Sequence, residues 1–219
     1  FCLSRGLGDV YKRQVLNMLM LNLPVEKIGG EMYELLTMAN RTTEDVFSLL
    51  DNLLKWTKSQ IGNLNVVYQD VDAVEVVDSV IDVFNMVAGL KKITIREEKP
   101  EKLPVCTDID MLKTIIRNLL SNAIKFSNEN SEVLVKMEEQ GDTVVVSVKD
   151  SGCGIDEEGQ QKLLHTDTHF STFGTNNEEG SGLGLLLCQD FAVKIGGKLW
   201  FTSKEGEGST FYFSIPLKK

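Results

Sequence analysis

The sequence predicts an α+β fold: a two-layer α/β sandwich, with three helices on one side of a largely antiparallel sheet, preceded by one long helix. Apolar residues recur at helical spacing in three segments, Val74–Ala88, Ile109–Phe126 and Leu183–Ile195. Two alternating segments, Val133–Met137 and Val144–Val148, flank Gly141-Asp142 and read as a hairpin. These two patterns together favour helices packed on an antiparallel-rich sheet.

Five more strands are predicted from the sequence. They are Leu64–Val71, a strand around Ile93 and Ile95, a short one at Val105, Lys198–Ser203 and Ser209–Pro216.

Composition limits the function classes. The 219 residues are 42% hydrophobic and 25% charged, which supports a packed core rather than disorder. Lys and Arg number 23 against 32 Asp and Glu, and the net charge of -9 disfavours a broad nucleic-acid or anionic-membrane surface. No apolar run reaches the roughly 18 residues of a membrane span, so we expect no membrane contact. The four cysteines show no CxxC spacing, which is typical of a reduced, cytoplasmic protein.

The first fourteen residues differ in character from the rest. Ser4–Gln14 reads SRGLGDVYKRQ and resembles the translation of a DNA sequencing adapter. A natural basic leader is the alternative. We therefore expect residues 1–14 to be non-native and the natural chain to have extended further upstream.

A long amphipathic helix is predicted over Glu31–Ile61, ended by Gly62 and Asn63. Its apolar stripe needs a partner, and Val15–Leu23 is too short to cover it. We expect a homodimer through these N-terminal helices. The chain then divides into a truncated helical region, residues 15–63, and an α+β domain, residues 64–219.

Two amides and an ammonium share one face of the helix over Ile109–Phe126. Asn118, Asn122 and Lys125 lie at i, i+4 and i+7. An amide oxygen can bind Mg²⁺ when phosphates complete the coordination shell, and a lysine can neutralise phosphate oxygens. The alternative is an ordinary solvated helix face.

A glycine-bearing turn follows the second hairpin strand. Asp150 can accept from an exocyclic amine, Gly152 and Gly154 allow a close backbone approach, and Ile155 offers an apolar wall. A plain Gly-rich turn is the alternative.

Two further glycine-rich segments follow. Gly180–Leu185 opens the last helix, where backbone amides form an anion site. The segment lacks the βαβ unit that a dinucleotide-binding motif requires. A plain glycine-rich helix start is the other interpretation. Gly206–Phe211, taken alone, is a hairpin turn. His165 and His169 suggest a metal pair by spacing, but no acidic or cysteine ligands surround them, which favours histidines in a mobile loop.

The order of these motifs, with Phe170 and Phe173 between the second and third, is specific as a set. It resembles the catalytic ATP-binding domain of bacterial sensor histidine kinases, whose Bergerat fold is shared with gyrase, heat-shock chaperones and mismatch-repair ATPases. Leu49–Gln60 is similar to the second helix of that family's dimerisation and phosphotransfer domain. The resemblance covers roughly residues 25 to 217.

The resemblance implies ATP and Mg²⁺ as ligands. By analogy Asp150 accepts from the adenine amino group, with support from Thr210 through water, between walls formed by Ile155 and Phe126. Asn122 corresponds to the Mg²⁺ ligand, and Lys125 reaches the phosphates. The segment between Gly154 and Gly180 corresponds to a lid over the nucleotide. The implied ATP-binding residues are Asn118, Asn122, Lys125, Phe126, Asp150, Gly152, Gly154, Ile155, Gly182, Leu183, Gly184, Leu185 and Thr210.

One residue favours the kinase branch over the hydrolases. The related ATPases carry a glutamate general base where this chain has Asn118, and an amide cannot take a proton from water. We expect slow hydrolysis and γ-phosphoryl transfer to an imidazole, then to a response regulator receiver domain. Two alternatives stay open: a degenerate nucleotide-sensing scaffold and a true ATPase.

The acceptor histidine itself departs from the family pattern. No histidine precedes His165, and the adapter-like segment lies where the acceptor motif should end. We expect that this chain binds Mg-ATP and cannot phosphorylate itself on the usual residue.

Overall fold

The computed structural model describes Thr43, Leu50, Leu53, Leu54, Thr57, residues 65–163, Thr175 and residues 182–217. The chain divides into two compact units, Phe1–Leu54 and Lys55–Lys219. All five described positions from Thr43 to Thr57 are helical, in line with the predicted long helix. Other predictions lie outside the described residues: the adapter-like segment, Val15–Leu23, the rest of the long helix and its end, both histidines, and Phe170 and Phe173.

The described residues from 65 to 217 contain seven strands and four helices. They are β1 (Gln69–Asp72), α1 (Ala73–Leu90), β2 (Thr94–Glu98), β3 (Pro104–Thr107), α2 (Ile109–Phe126), β4 (Glu132–Gln140), β5 (Thr143–Lys149), α3 (Glu157–Lys162), α4 (Leu183–Lys194), β6 (Leu199–Lys204) and β7 (Gly208–Pro216).

Five strands form one sheet in the order β2-β4-β5-β7-β6. Its pairs are antiparallel except β2 with β4, which run parallel. β1 and β3 form a separate antiparallel ribbon. The predicted hairpin is confirmed as β4–β5, and the α+β class is confirmed with it.

The core lies between one face of this sheet and the helices. On β4, Val133, Val135 and Met137 are buried while the alternating positions are partly exposed, as expected for a sheet covered on one side. These residues share one hydrophobic cluster with buried side chains of α1, α2 and α4. On the other face, Trp200 and Tyr212 stack with their ring centroids 5.3 Å apart. The two-layer arrangement is therefore confirmed.

Asp108 fixes the start of α2. Its Oδ1 accepts hydrogen bonds from the backbone amides of Asp110 and Met111, both at 3.0 Å, and its Oδ2 accepts from the Val67 amide at 2.8 Å. A carboxylate at this position satisfies otherwise unpaired amides of the first turn. The cap sets where α2 begins, and so where its C-terminal turn lies in the candidate site.

Two elements differ from the sequence prediction. The first strand begins at Gln69 rather than Leu64, and residues 65–68 are not in a strand. The short helix α3 was not predicted, because six residues carry too little apolar periodicity. Its N-cap is a typical one: Asp156 precedes the helix, and its Oδ1 accepts a hydrogen bond from the Gly159 amide at 2.8 Å. Within the described residues, no helix is long and apolar enough to cross a membrane.

Candidate nucleotide-binding site

Asp150 is a buried carboxylate at the end of β5. The residue is only 4% exposed to solvent. Oδ1 accepts from the backbone amides of Gly152 at 2.9 Å and Ser209 at 3.2 Å, and the Asp150 amide donates to the Ser209 carbonyl at 2.9 Å. These bonds fix the carboxylate through one oxygen, and Oδ2 takes no part in them.

Burial raises the pKa of Asp150, and the hydrogen bonds from Gly152 and Ser209 offset part of that rise. An ionised carboxylate in such a place is costly unless donors surround it. A ligand that presents an N–H group to this carboxylate would stabilise its charged form. The site is thus suited to an amine-bearing ligand.

The Asp150 turn lies directly against the C-terminal end of α2. A β-carbon built on Gly152 would stand 2.1 Å from the carbonyl oxygen of Phe126. Phe126 and Lys125 are both half-buried, and Lys125 Nζ lies 4.9 Å from the centroid of the Phe126 ring. The end of α2, which carries the Phe126 ring and the Lys125 cation, therefore lies against the turn that carries the buried carboxylate.

The β6–β7 hairpin holds the other side of the turn. Gly154 has a φ of +67°, and a β-carbon there would stand 2.0 Å from the Lys204 carbonyl oxygen, so both conformation and space require glycine. The Ile155 amide donates to Ser203 Oγ at 2.9 Å, and the half-buried Ile155 side chain packs on the core. Ile155 is thus fixed close to the aspartate turn.

The N-terminus of α4 lies against the middle of α2. Gly182 caps the helix in the left-handed conformation, with a φ of +67°, and the first turn carries no acidic residue. A β-carbon on Gly184 would stand 2.7 Å from Asn118 Oδ1. Leu183 is buried and Leu185 is half-buried. Gly180 and Ser181 lie outside the described residues.

Asn118 is held within this helix contact. Its Nδ2 donates to the Thr114 carbonyl at 2.9 Å, and the neighbouring Ile115 carbonyl accepts from the thiol of Cys188 on α4 at 3.9 Å. Burial raises the pKa of the Cys188 thiol, so that group stays neutral. Asn118 therefore lies in the contact between α2 and the glycine-bearing start of α4.

Asn122 lies one turn further along α2 and is half-buried. Among the described residues, no group of three or more His, Cys, Asp or Glu side chains could enclose a metal ion. Mg²⁺ is commonly held by one or two protein oxygens together with substrate phosphates. One amide oxygen beside Lys125 fits that mode of binding.

Ser209 contacts Asp150 directly through its backbone amide, whereas the expected support from Thr210 through water stays a prediction. Thr210 pairs across the sheet with Lys149 and Thr202, and the alternation of β7 puts it on the face opposite to buried Phe211. Ser209 is 7% exposed, and its Oγ lies 2.9 Å from Ser203 Oγ. The period-two pattern of Ser209, Phe211 and Phe213 was the signal that pointed to Ser209.

The geometry brings three predicted motifs to one place: the amide-bearing end of α2, the Asp150 turn and the start of α4. This arrangement belongs to a class of ATP-binding domains. Residues 107–219, more than half of the chain, match the family described as "Histidine kinase-, DNA gyrase B-, and HSP90-like ATPase". The chain belongs to this family.

Individual proteins that are similar to this chain are sensor kinases. The chain is 30% identical over 171 residues, 77% of its length, to the adaptive-response sensory kinase SasA of Rippkaea orientalis. It is 28% identical over 186 residues to the sensor histidine kinase WalK of Bacillus subtilis. The solved catalytic domain of histidine kinase ThkA superposes with a TM-score of 0.60 at 29% identity, covering 69% of this chain and 97% of that one.

These similarities identify the α+β region as a catalytic ATP-binding domain of the sensor histidine kinase type. The chain spans 43% of the length of the SasA relative and 30% of WalK.

Proposed function

We propose that this chain positions Mg-ATP for transfer of the γ-phosphoryl group to a histidine, as the catalytic part of a two-component sensor kinase. The observation that carries the proposal is the pair of close contacts from α2, Phe126 to Gly152 and Asn118 to Gly184. They bring an amine acceptor, a cation and a helix N-terminus to one site. A purine nucleotide offers the matching groups in the matching order.

The adenine end lies at Asp150. Its Oδ2 accepts from the exocyclic amino group, because Oδ1 is already bonded by backbone amides. Ile155 and Phe126 form the apolar walls of the ring site, and Gly152 and Gly154 keep backbone atoms close to it. The Ser209 amide supports this carboxylate directly, and Thr210 adds support through water.

The phosphate end lies between α2 and α4. Lys125 neutralises phosphate oxygens, and the first turn of α4, from Gly182 through Leu183 and Gly184 to Leu185, directs its amides and helix dipole at them. Asn122 supplies the protein oxygen for Mg²⁺, which would neutralise charge on the phosphates when bound. Asn118 keeps the two helices in register.

The reaction is phosphoryl transfer rather than hydrolysis. An imidazole nitrogen attacks the γ-phosphorus, an N–P bond forms as the bridging P–O bond breaks, and ADP leaves. Asn118 lacks the basicity to activate water instead. The sequence has only His165 and His169, so the acceptor histidine lies outside these 219 residues. A response regulator receiver domain then takes the phosphoryl group.

The N-terminal region supports a homodimer. Leu50, Leu53 and Leu54 are helical and expose 47%, 40% and 60% of their surface. Exposed leucines at this spacing form one side of a helix, and a second copy of the chain covers them. We further propose a cytoplasmic location, which the thiol form of the described cysteines supports.

Titration calorimetry with Mg²⁺ and a non-hydrolysable ATP analogue tests the proposal. We expect saturable binding at one site per chain, slow ATP turnover, and transfer to a partner chain that carries an acceptor histidine. Absence of binding would reject the kinase assignment. Rapid turnover would favour a true ATPase, and binding without transfer to any acceptor would favour a nucleotide-sensing scaffold.

A further inference from the structure

Lys91 is a buried cation that the nucleotide assignment leaves without a role. It follows α1 directly and is 7% exposed. Its Nζ donates to the backbone carbonyls of Ile124 at 3.0 Å and Lys125 at 2.8 Å. Both carbonyls belong to the last turn of α2, so Lys91 bonds the C-terminal end of the helix that carries Asn122 and Lys125.

Thr175 contacts the same helix end. Its Oγ1 accepts from Lys91 Nζ at 2.6 Å, and its backbone amide donates to the Lys125 carbonyl at 3.2 Å. The hydroxyl also lies 3.0 Å from the Lys125 carbonyl and 2.8 Å from that of Ser127, and donates its proton to one of them. Thr175 thus joins the chain between α3 and α4 to the end of α2.

The electrostatics of α2 explain why a lysine occupies this place. The last carbonyls of a helix have no partners within it and carry partial negative charge. A buried ammonium is costly unless acceptors surround it, and these carbonyls with the threonine hydroxyl supply them. The backbone of Lys91 is itself fixed, because its amide donates to the Ala88 carbonyl at 3.0 Å. The end of α2 is therefore held to a fixed point on α1.

The consequence concerns the neighbouring side chains. The Phe126 carbonyl packs on Gly152, while the two preceding carbonyls are bonded by Lys91, one of them also by Thr175. The rotation of the last turn of α2 is thereby set from both sides. That rotation decides where Lys125 and Phe126 point.

We propose that Lys91 and Thr175 are positioning residues of the nucleotide site, acting through the last turn of α2 to orient Lys125 and Phe126. The proposal rests on the proposed function, since it names what organises that same site. It makes the Thr175 hydroxyl, on a segment separate from the phosphate-binding helix start, a determinant of nucleotide affinity.

The test compares Thr175→Val with Thr175→Ser by calorimetric titration with Mg²⁺ and the ATP analogue, and by thermal unfolding without nucleotide. We expect Thr175→Val to weaken affinity about tenfold, the size of one lost charge-assisted hydrogen bond. Thr175→Ser should bind within about twofold of the parent chain, because it keeps the hydroxyl. Thr175→Val should also unfold at a slightly lower temperature, because the buried Lys91 ammonium keeps one acceptor fewer, whereas Thr175→Ser should unfold with the parent chain. The exposed Thr94→Val serves as the matched control.

A Lys91→Met variant adds a second measurement of nucleotide affinity if it folds, with the exposed Lys102→Met as its control. If Lys91→Met does not fold, the comparison of Thr175→Val with Thr175→Ser decides whether the positioning role holds. Parent-like affinity in Thr175→Val would overturn the positioning role, as would equal weakening in Thr175→Ser or a loss of stability with unchanged affinity. Failure of the parent chain to bind nucleotide would overturn both this inference and the proposed function. Binding by the parent with no effect of Thr175 would overturn this inference alone.

Discussion

The carbonyl oxygen of Phe126 lies so close to Gly152 that a β-carbon on the glycine would stand 2.1 Å from it. That contact joins the last residue of α2 to the turn that carries Asp150. It leaves no room for a side chain, because the obstructing atom belongs to the backbone of a packed helix. The two parts of the proposed adenine site, the end of α2 and the Asp150 turn, are therefore held together by this close contact.

Gly152→Ala should separate the two halves. The new methyl group would force the turn away from α2, at a cost of about 1–3 kcal/mol for overpacking. We expect a lower unfolding free energy in urea and a large loss of affinity for the ATP analogue. Gly89→Ala is the control, since a β-carbon there meets nothing within 4 Å, and it should be neutral or stabilising. Unchanged binding in Gly152→Ala would show that the contact is not needed.

Asp150→Asn should abolish nucleotide binding and leave the fold intact. The amide oxygen of asparagine can still accept from Gly152 and Ser209, while its amino group replaces the acceptor that faces adenine. The change also removes a buried charge, so the variant should be no less stable than the parent chain at neutral pH. Calorimetry and thermal unfolding measure the two effects separately. An affinity equal to that of the parent would contradict the adenine assignment.

A comparison of the parent chain with Asp150→Asn should also show a pH dependence of stability. Burial raises the pKa of Asp150 above its ordinary 3.8, so the unfolded chain ionises at lower pH than the folded one. The folded state then binds more protons, and the free energy of unfolding contributed by this group falls as pH rises from below 3.8 through the folded pKa. Asp150→Asn lacks this loss. The stability of the variant relative to the parent should therefore grow across that window in urea unfolding and level off above it; a pH-independent difference would refute the effect.

Helix α2 shows what the sequence could predict. Its bounds, Ile109–Phe126, agree with the prediction because Asp108 supplies a cap and the apolar spacing is unbroken for the whole helix. The hairpin of β4 and β5 was equally readable from local alternation and its turn. Each of these features is decided by residues close together in the chain.

Long-range contacts were not readable in the same way. The parallel pairing of β2 with β4 joins strands separated by a helix, and nothing in either segment specifies its partner. No local pattern singles out Lys91, because only the folded chain brings the carbonyls of Ile124 and Lys125 to its side chain. Sequence patterns report periodicity and turns, whereas these features depend on packing across the whole domain.

Asn122→Ala should reduce the part of nucleotide affinity that depends on Mg²⁺. The amide oxygen is the protein ligand proposed for the ion, so its removal should bring affinity with Mg²⁺ close to the affinity in EDTA. Titrations of the ATP analogue with and without Mg²⁺ measure the difference. Asn85→Ala, on an exposed part of α1, should behave as the parent chain does. If the magnesium increment survives in Asn122→Ala, another residue holds the ion.

Gly184→Ala and Asn118→Ala should be strongly coupled. The methyl group that Gly184→Ala introduces would stand 2.7 Å from Asn118 Oδ1 and push α4 away from α2, at a cost of about 1–3 kcal/mol. Asn118→Ala removes the obstructing oxygen together with the bond to the Thr114 carbonyl. In that background Gly184→Ala should be neutral or stabilising, because alanine is favoured over glycine in a helix by roughly 0.5–1 kcal/mol.

Urea unfolding of the parent chain, both single variants and the double variant gives the coupling energy directly. We expect the double variant to be more stable than the sum of the single effects predicts, by about 1 kcal/mol or more. Strictly additive effects would mean that Asn118 does not set the distance between α2 and α4. Nucleotide affinity provides a second measurement on the same four proteins. If the helix spacing places the first turn of α4 on the phosphates, Gly184→Ala alone should weaken binding, and Asn118→Ala should restore part of that loss.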